Sequence, residues 1–113
     1  AWATIGGMVA TNAAGAHALA LGAMRAWVTA LDCVFDDGTR AWVTRGAELP
    51  VQSRHVPALR RFGTQAQAMV LTTAMAAPVA RVAHDGVRKE SSGYALAAFA
   101  RSGDVVDLLV GSE

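Results

Sequence analysis

The sequence predicts an α+β fold, a small antiparallel sheet with helices packed on it, and three observations predict it. Two short runs rich in β-branched and aromatic residues, Val28 to Phe35 and Arg40 to Arg45, flank Asp36-Asp37-Gly38-Thr39. From Ser53 to Ala77 the apolar residues change to three- and four-residue steps. Ahead of both, Thr4 to Gly15 is small, glycine-rich and almost uncharged. A chain of 113 residues has room for one compact domain.

Taken in order, Thr4 to Gly15 reads as a loop leading into a short helical turn. The adjacent pair Gly6-Gly7 argues against a regular helix there, because glycine loses too much backbone entropy on becoming helical. The two β runs read as a hairpin, since Asp-Gly supplies the positive φ that a tight turn needs. Cys33 falls within the alternating pattern and reads as a buried small hydrophobe. Val56, Leu59, Phe62, Ala66, Met69 and Val70 mark one face of a helix. Pro57 suits its first turn, Gly63 weakens its middle and Pro78 ends it. Ser91-Ser92-Gly93 is a further turn. A short helix from Tyr94 to Arg101 follows, then Ser102-Gly103, then an apolar run through Val110.

Composition narrows the function classes. Net charge is +1, and no basic stripe with interleaved aromatics speaks for nucleic acid. No apolar run reaches the ~18 residues of a membrane span, and the first residues lack a signal-peptide pattern. One cysteine cannot form an internal disulfide, which points to a reducing compartment such as the cytoplasm. Much of the apolar share is alanine, so the core is expected to need a neighbouring domain or a ligand to complete it. The motif at the start and the abrupt end at Glu113 lead to the expectation that the chain is a fragment of a longer protein.

Four segments carry possible chemistry. Thr4-Ile5-Gly6-Gly7-Met8-Val9-Ala10-Thr11-Asn12-Ala13-Ala14-Gly15 combines glycines that let a backbone approach a bulky ligand with small, flat neighbours. Thr11 and Asn12 offer hydrogen bonds, and N–H groups arrayed near a helix start favour anions. A tight structural turn accounts for the same residues equally well. Gly22 and Arg25 stand ahead of the hairpin, with Arg25 either a surface cation or the partner of an acidic group. Val87-Arg88-Lys89-Glu90-Ser91-Ser92-Gly93-Tyr94 is either an anion-binding edge or a solvated turn. Val110-Gly111-Ser112-Glu113 closes the chain. His17, His55 and His84 lack metal-ligand spacing, no nucleophile elbow or catalytic triad order is present, and no catalytic residue is assigned.

The order of these four segments resembles the FAD-binding domain of the FAD-linked oxidases. That family includes the glycolate oxidase large subunit, D-lactate dehydrogenase and D-2-hydroxyglutarate dehydrogenase. It carries T-I-G-G-x-I/V-A-x-N-A-x-G, then Y-G-x-x-R-D-x-V, a hairpin with D-G, K-x-S-S/T-G-Y and V-G-S-E-G-T-L. The first motif matches along its length. Gly22, Arg25 and Val28 match the second, Lys89, Ser91, Gly93 and Tyr94 the third, and Val110 to Glu113 the start of the fourth. Leu21 stands where the family has tyrosine and Ala26 where it has aspartate. The Arg-Lys-x-Ser-Ser-Gly-Tyr form looks most like long members fused to an iron–sulfur module, so an iron–sulfur cluster in a downstream domain is a further implication.

The resemblance implies that residues 1–113 are the second of two α+β subdomains that hold FAD between them. It implies an FAD-dependent oxidoreductase that oxidises a small-molecule 2-hydroxy acid by hydride transfer to flavin, the remaining domains of the protein being this segment's partners. The cofactor-binding residues it implies are Thr4, Ile5, Gly6, Gly7, Thr11, Asn12, Ala13, Ala14, Gly15 and Glu113, with Lys89 and Tyr94 near the site. By itself the segment is expected to be inactive and to bind FAD weakly. Two other readings stand beside this one: a non-catalytic partner subunit that keeps a flavin-like domain for assembly, and an unrelated domain whose glycines serve turns.

Overall fold

The computed structural model describes residues 2–75 and 94–113. Elements follow in the order α1 (Ile5–Ala10), α2 (Ala18–Leu21), a 3₁₀ turn (Met24–Trp27), β1 (Ala30–Val34) and β2 (Arg40–Thr44). After these come α3 (Leu49–Gln52), α4 (Pro57–Met75), α5 (Leu96–Ser102) and α6 (Val105–Leu109). Pro78, His84 and the third motif from Val87 to Gly93 lie outside the described residues.

The hairpin forms as expected. β1 and β2 pair antiparallel with Asp32 opposite Trp42 and Cys33 opposite Ala41. Phe35 N–H donates to Thr39 O and Gly38 N–H to Phe35 O, each at 2.9 Å. Gly38 takes the left-handed position at φ 79°, where an L side chain is strained. Arg45 N–H donates to Thr29 O at 2.8 Å, so the pairing runs one step beyond the strand ends. Alternation gives the sheet two faces. Leu31, Cys33, Phe35, Ala41 and Val43 face the core. Asp32, Val34, Arg40 and Trp42 are exposed.

Val43, Val56, Leu59, Ala66, Phe99, Val106, Leu108 and Val110 are among the buried residues of one apolar cluster. α4 supplies Leu59 and Ala66 from the face the periodicity marked, and Pro57 opens it. Met69 departs from the expected buried face and is half exposed, at 50 %. Gly63 is buried against α3, and a Cβ there would collide with the Leu49 side chain. Its glycine therefore answers a packing demand. The apolar run before Val110 is helical as α6, opened by Asp104, whose Oδ1 accepts from Val106 N–H at 2.9 Å.

One expectation is overturned. Gly6 and Gly7 lie inside a helix, α1, and the loop follows it. The reason lies at the helix ends. Thr4 Oγ1 accepts from Gly7 N–H at 3.0 Å. Thr11 N–H and Oγ1–H both donate to Gly7 O, at 3.1 and 2.9 Å. Val9 and Ala10 carbonyls accept from Gly111 and Glu113 N–H at 3.0 and 3.2 Å. End groups that a short helix normally leaves unpaired are thus satisfied, which offsets a glycine cost of about 1 kcal/mol per residue.

Candidate functional site

The first, second and fourth motifs meet. Asn12 is 5 % exposed and takes the left-handed conformation at φ 47°, which asparagine tolerates better than most residues. Its Oδ1 accepts from Arg25 N–H at 2.9 Å. Arg25 Nη2 reaches across 85 positions of sequence to donate to Val110 O at 2.7 Å. Gly111 follows at φ 81°, where a Cβ would stand 2.9 Å from both Arg25 Nη2 and Asn12 Cβ. Only glycine fits there without displacing one of them. Arg25 O in turn accepts from Arg45 Nη2 at 3.0 Å, which carries the junction to the hairpin.

Above this junction the residues named from the resemblance divide into two sets. Thr4, Ile5, Gly6, Gly7, Thr11, Gly15 and Glu113 are exposed, and Ala13 and Ala14 are half-buried. Asn12 is turned inward and supports the turn from below. Ala13 is tied on both sides, its N–H to Met8 O at 2.8 Å and its carbonyl from Met24 N–H at 3.0 Å. A Cβ built at Gly6 or Gly15 meets nothing within 4 Å. At Gly7 it would meet Thr4 Oγ1 at 3.1 Å, crowding the helix cap.

Beside α1 runs a groove of about 690 Å³. It is lined by Ile5, Gly6 and Ala10 of α1, by Trp27, β1 and Trp42, and by Ser112. The walls are mostly apolar, and Ile5, Trp27, Val34 and Trp42 are all more than 60 % exposed. The carboxylate in the lining, Asp32, is held by Arg40, whose Nε donates to Oδ1 at 2.9 Å. That hydrogen bond, with the guanidinium charge, holds the Asp32 carboxyl below the usual range. Burial pushes the Cys33 thiol up, reinforced by the neighbouring Asp32 charge. Cys33 is half-buried and carries little thiolate at neutral pH, so it is a poor nucleophile.

Tyr94 does not join this junction. It lines a smaller apolar pocket of about 190 Å³ with Phe62, Met69, Leu96 and Leu108. His17 and His55 are exposed, and no cluster of three metal-ligating side chains occurs among the described residues. No described helix is long and apolar enough to cross a membrane.

Sequence reasoning missed a second polar centre. Arg45 Nη1 pairs with Asp107 Oδ1 at 2.8 Å, and Asp107 Oδ2 accepts from Ser102 Oγ at 2.7 Å. Arg45 Nε donates to Val28 O at 2.8 Å. Asp107 lies in an apolar run at 7 % exposure. That lone carboxylate among aliphatic residues was the available signal, because a buried charge needs a partner. Comparisons of the chain with protein-family models, curated proteins and solved structures gave no match.

Proposed function

We propose that this chain forms one wall of an FAD site in an oxidoreductase that acts on a 2-hydroxy acid, with the facing wall supplied by another part of the protein. The observation that carries the reading is Gly6. It sits in a helix, where glycine is unfavourable, yet neither a positive φ nor a packed neighbour requires it. Gly38 and Gly111 answer to backbone conformation and Gly63 to packing; Gly6 is left facing an open groove. A backbone kept bare beside an apolar, tryptophan-lined groove is what a large planar ligand needs from its wall.

The residues fit FAD in that sense. Gly6 leaves its backbone bare on the groove, and Thr4 and Thr11 cap the two ends of the helix that carries it. Ile5, Trp27 and Trp42 offer apolar surface for a ring. When bound, the flavin supplies the hydride acceptor. The chain's own task is to bind it, orient it and keep water from one face. Asp32, already paired, and Cys33, held as a thiol, take no proton-transfer role.

Titration of the intact, flavin-depleted protein with FAD tests the reading. Wild type should bind and quench flavin fluorescence. Gly6→Ala should weaken binding at least tenfold. Without ligand it should be as stable as wild type, or more so by up to about 1 kcal/mol, because alanine is the better helix former. His55→Ala, exposed and remote from the groove, should leave both quantities unchanged. No FAD binding by wild type, or full binding by Gly6→Ala, overturns the proposal.

A further inference from the structure

We infer that Arg25 is the positioning residue of the glycine-lined wall, acting from behind it. The inference rests on the flavin reading for what the wall holds, though not for the geometry. Arg25 binds three separate pieces of the fold. Its N–H holds Asn12 Oδ1 at 2.9 Å, its Nη2 holds Val110 O at 2.7 Å and its carbonyl takes Arg45 Nη2 at 3.0 Å. Asn12 is the turn from which Ala13, Ala14 and Gly15 leave α1. Val110 is the residue from which Gly111 and Glu113 reach back to the α1 carbonyls.

The Arg25 backbone is thus fixed to the Asn12 turn, and its guanidinium ties that anchored point to Val110, so the side chain sets the distance between the two strips of backbone that border the site. The side chain is half-buried and its Nη2 donates to a peptide carbonyl. Gly111 is the steric counterpart, since any Cβ there would press on Nη2 and on Asn12 together. The aspartate absent at Ala26 is not needed for this arrangement, because the guanidinium is held by backbone.

Arg25→Met and Arg25→Lys in the intact protein test the role. The methionine keeps the apolar stem and removes the donor; the lysine restores one donor to Val110 O. Arg25→Met should raise the Kd for FAD tenfold or more and change the visible circular dichroism of the flavin bound at saturation. Arg25→Lys should recover most of both. In the ligand-free protein, the Gly111 and Glu113 amides should exchange at least tenfold faster in Arg25→Met, while Leu59 in α4 keeps its protection. If Arg25→Met does not fold, Gly111→Ala carries the test with the same readouts, pressing on the guanidinium from the other side.

Wild-type Kd and wild-type dichroism in Arg25→Met overturn the inference, as does unchanged Gly111 exchange. Absence of FAD binding in wild type overturns the flavin reading instead, and the exchange rates then decide the positional role alone.

Discussion

Asp32 and Arg40 face each other diagonally on the open side of the hairpin, and their bond has a pH signature. The Arg40 hydrogen bond lowers the Asp32 pKa in the folded state. Between the lowered value and the ordinary one near 3.8, the unfolded chain binds the extra proton. The pair's contribution is therefore fully present above the ordinary value and is lost as pH falls through the lowered one. Asp32→Asn should melt at a temperature less sensitive to acid below about pH 4. Parallel acid limbs for the two proteins would show that the exposed pair contributes nothing. At this scale the sequence was partly legible. Asp-Gly announced the turn and its positive φ, but nothing local foretold that Asn12 would point inward. Its partner is thirteen positions away and its burial depends on Gly111.

Among the elements, α6 shows how a cap can join two parts of a fold. Asp104 Oδ1 caps α6 at Val106 N–H, while Oδ2 accepts from Gly46 N–H at 2.7 Å just beyond β2. Asp104→Ala loses both bonds. The expected cost is about 1–3 kcal/mol, combining a lost N-cap with one further hydrogen bond. Urea unfolding measures it, and a loss below about 0.5 kcal/mol would mean water replaces both acceptors. The hairpin and α4 were readable because their signals are local: period two around a turn, and period 3.6 after Pro57. α1 was misread for the opposite reason. Propensity spoke against it, and the groups that complete its ends lie in Gly111 and Glu113 at the far end of the sequence. Met69 carried the right spacing and is half exposed, because the pocket it borders by Phe62 and Tyr94 is open there.

For the whole molecule, the proposed site was visible only as a list of segments. Spacing along a chain does not state which segments touch, and the ordering was informative only through its resemblance to a flavoprotein family. The junction of Asn12, Arg25 and Gly111 supplies the adjacency. The Arg45–Asp107 pair beneath it links the hairpin to α6, and its one local sign was the lone Asp107 carboxylate in an aliphatic run.

The bonds from Gly111 to Val9 and from Glu113 to Ala10 also fix an order of events. Six residues are far too few to hold a helix alone, so α1 waits for partners that leave the ribosome about a hundred residues later. Closing so long a loop is entropically costly, though the cost grows only logarithmically with length. Pulse-labelled exchange during refolding should find the α1 amides protected in the slowest phase, after those of α4. Protection of both in one phase would contradict this sequence of steps. The glycine-lined surface is thus completed only after α4 has formed, and a nascent chain displays no finished ligand wall before Gly111 and Glu113 arrive.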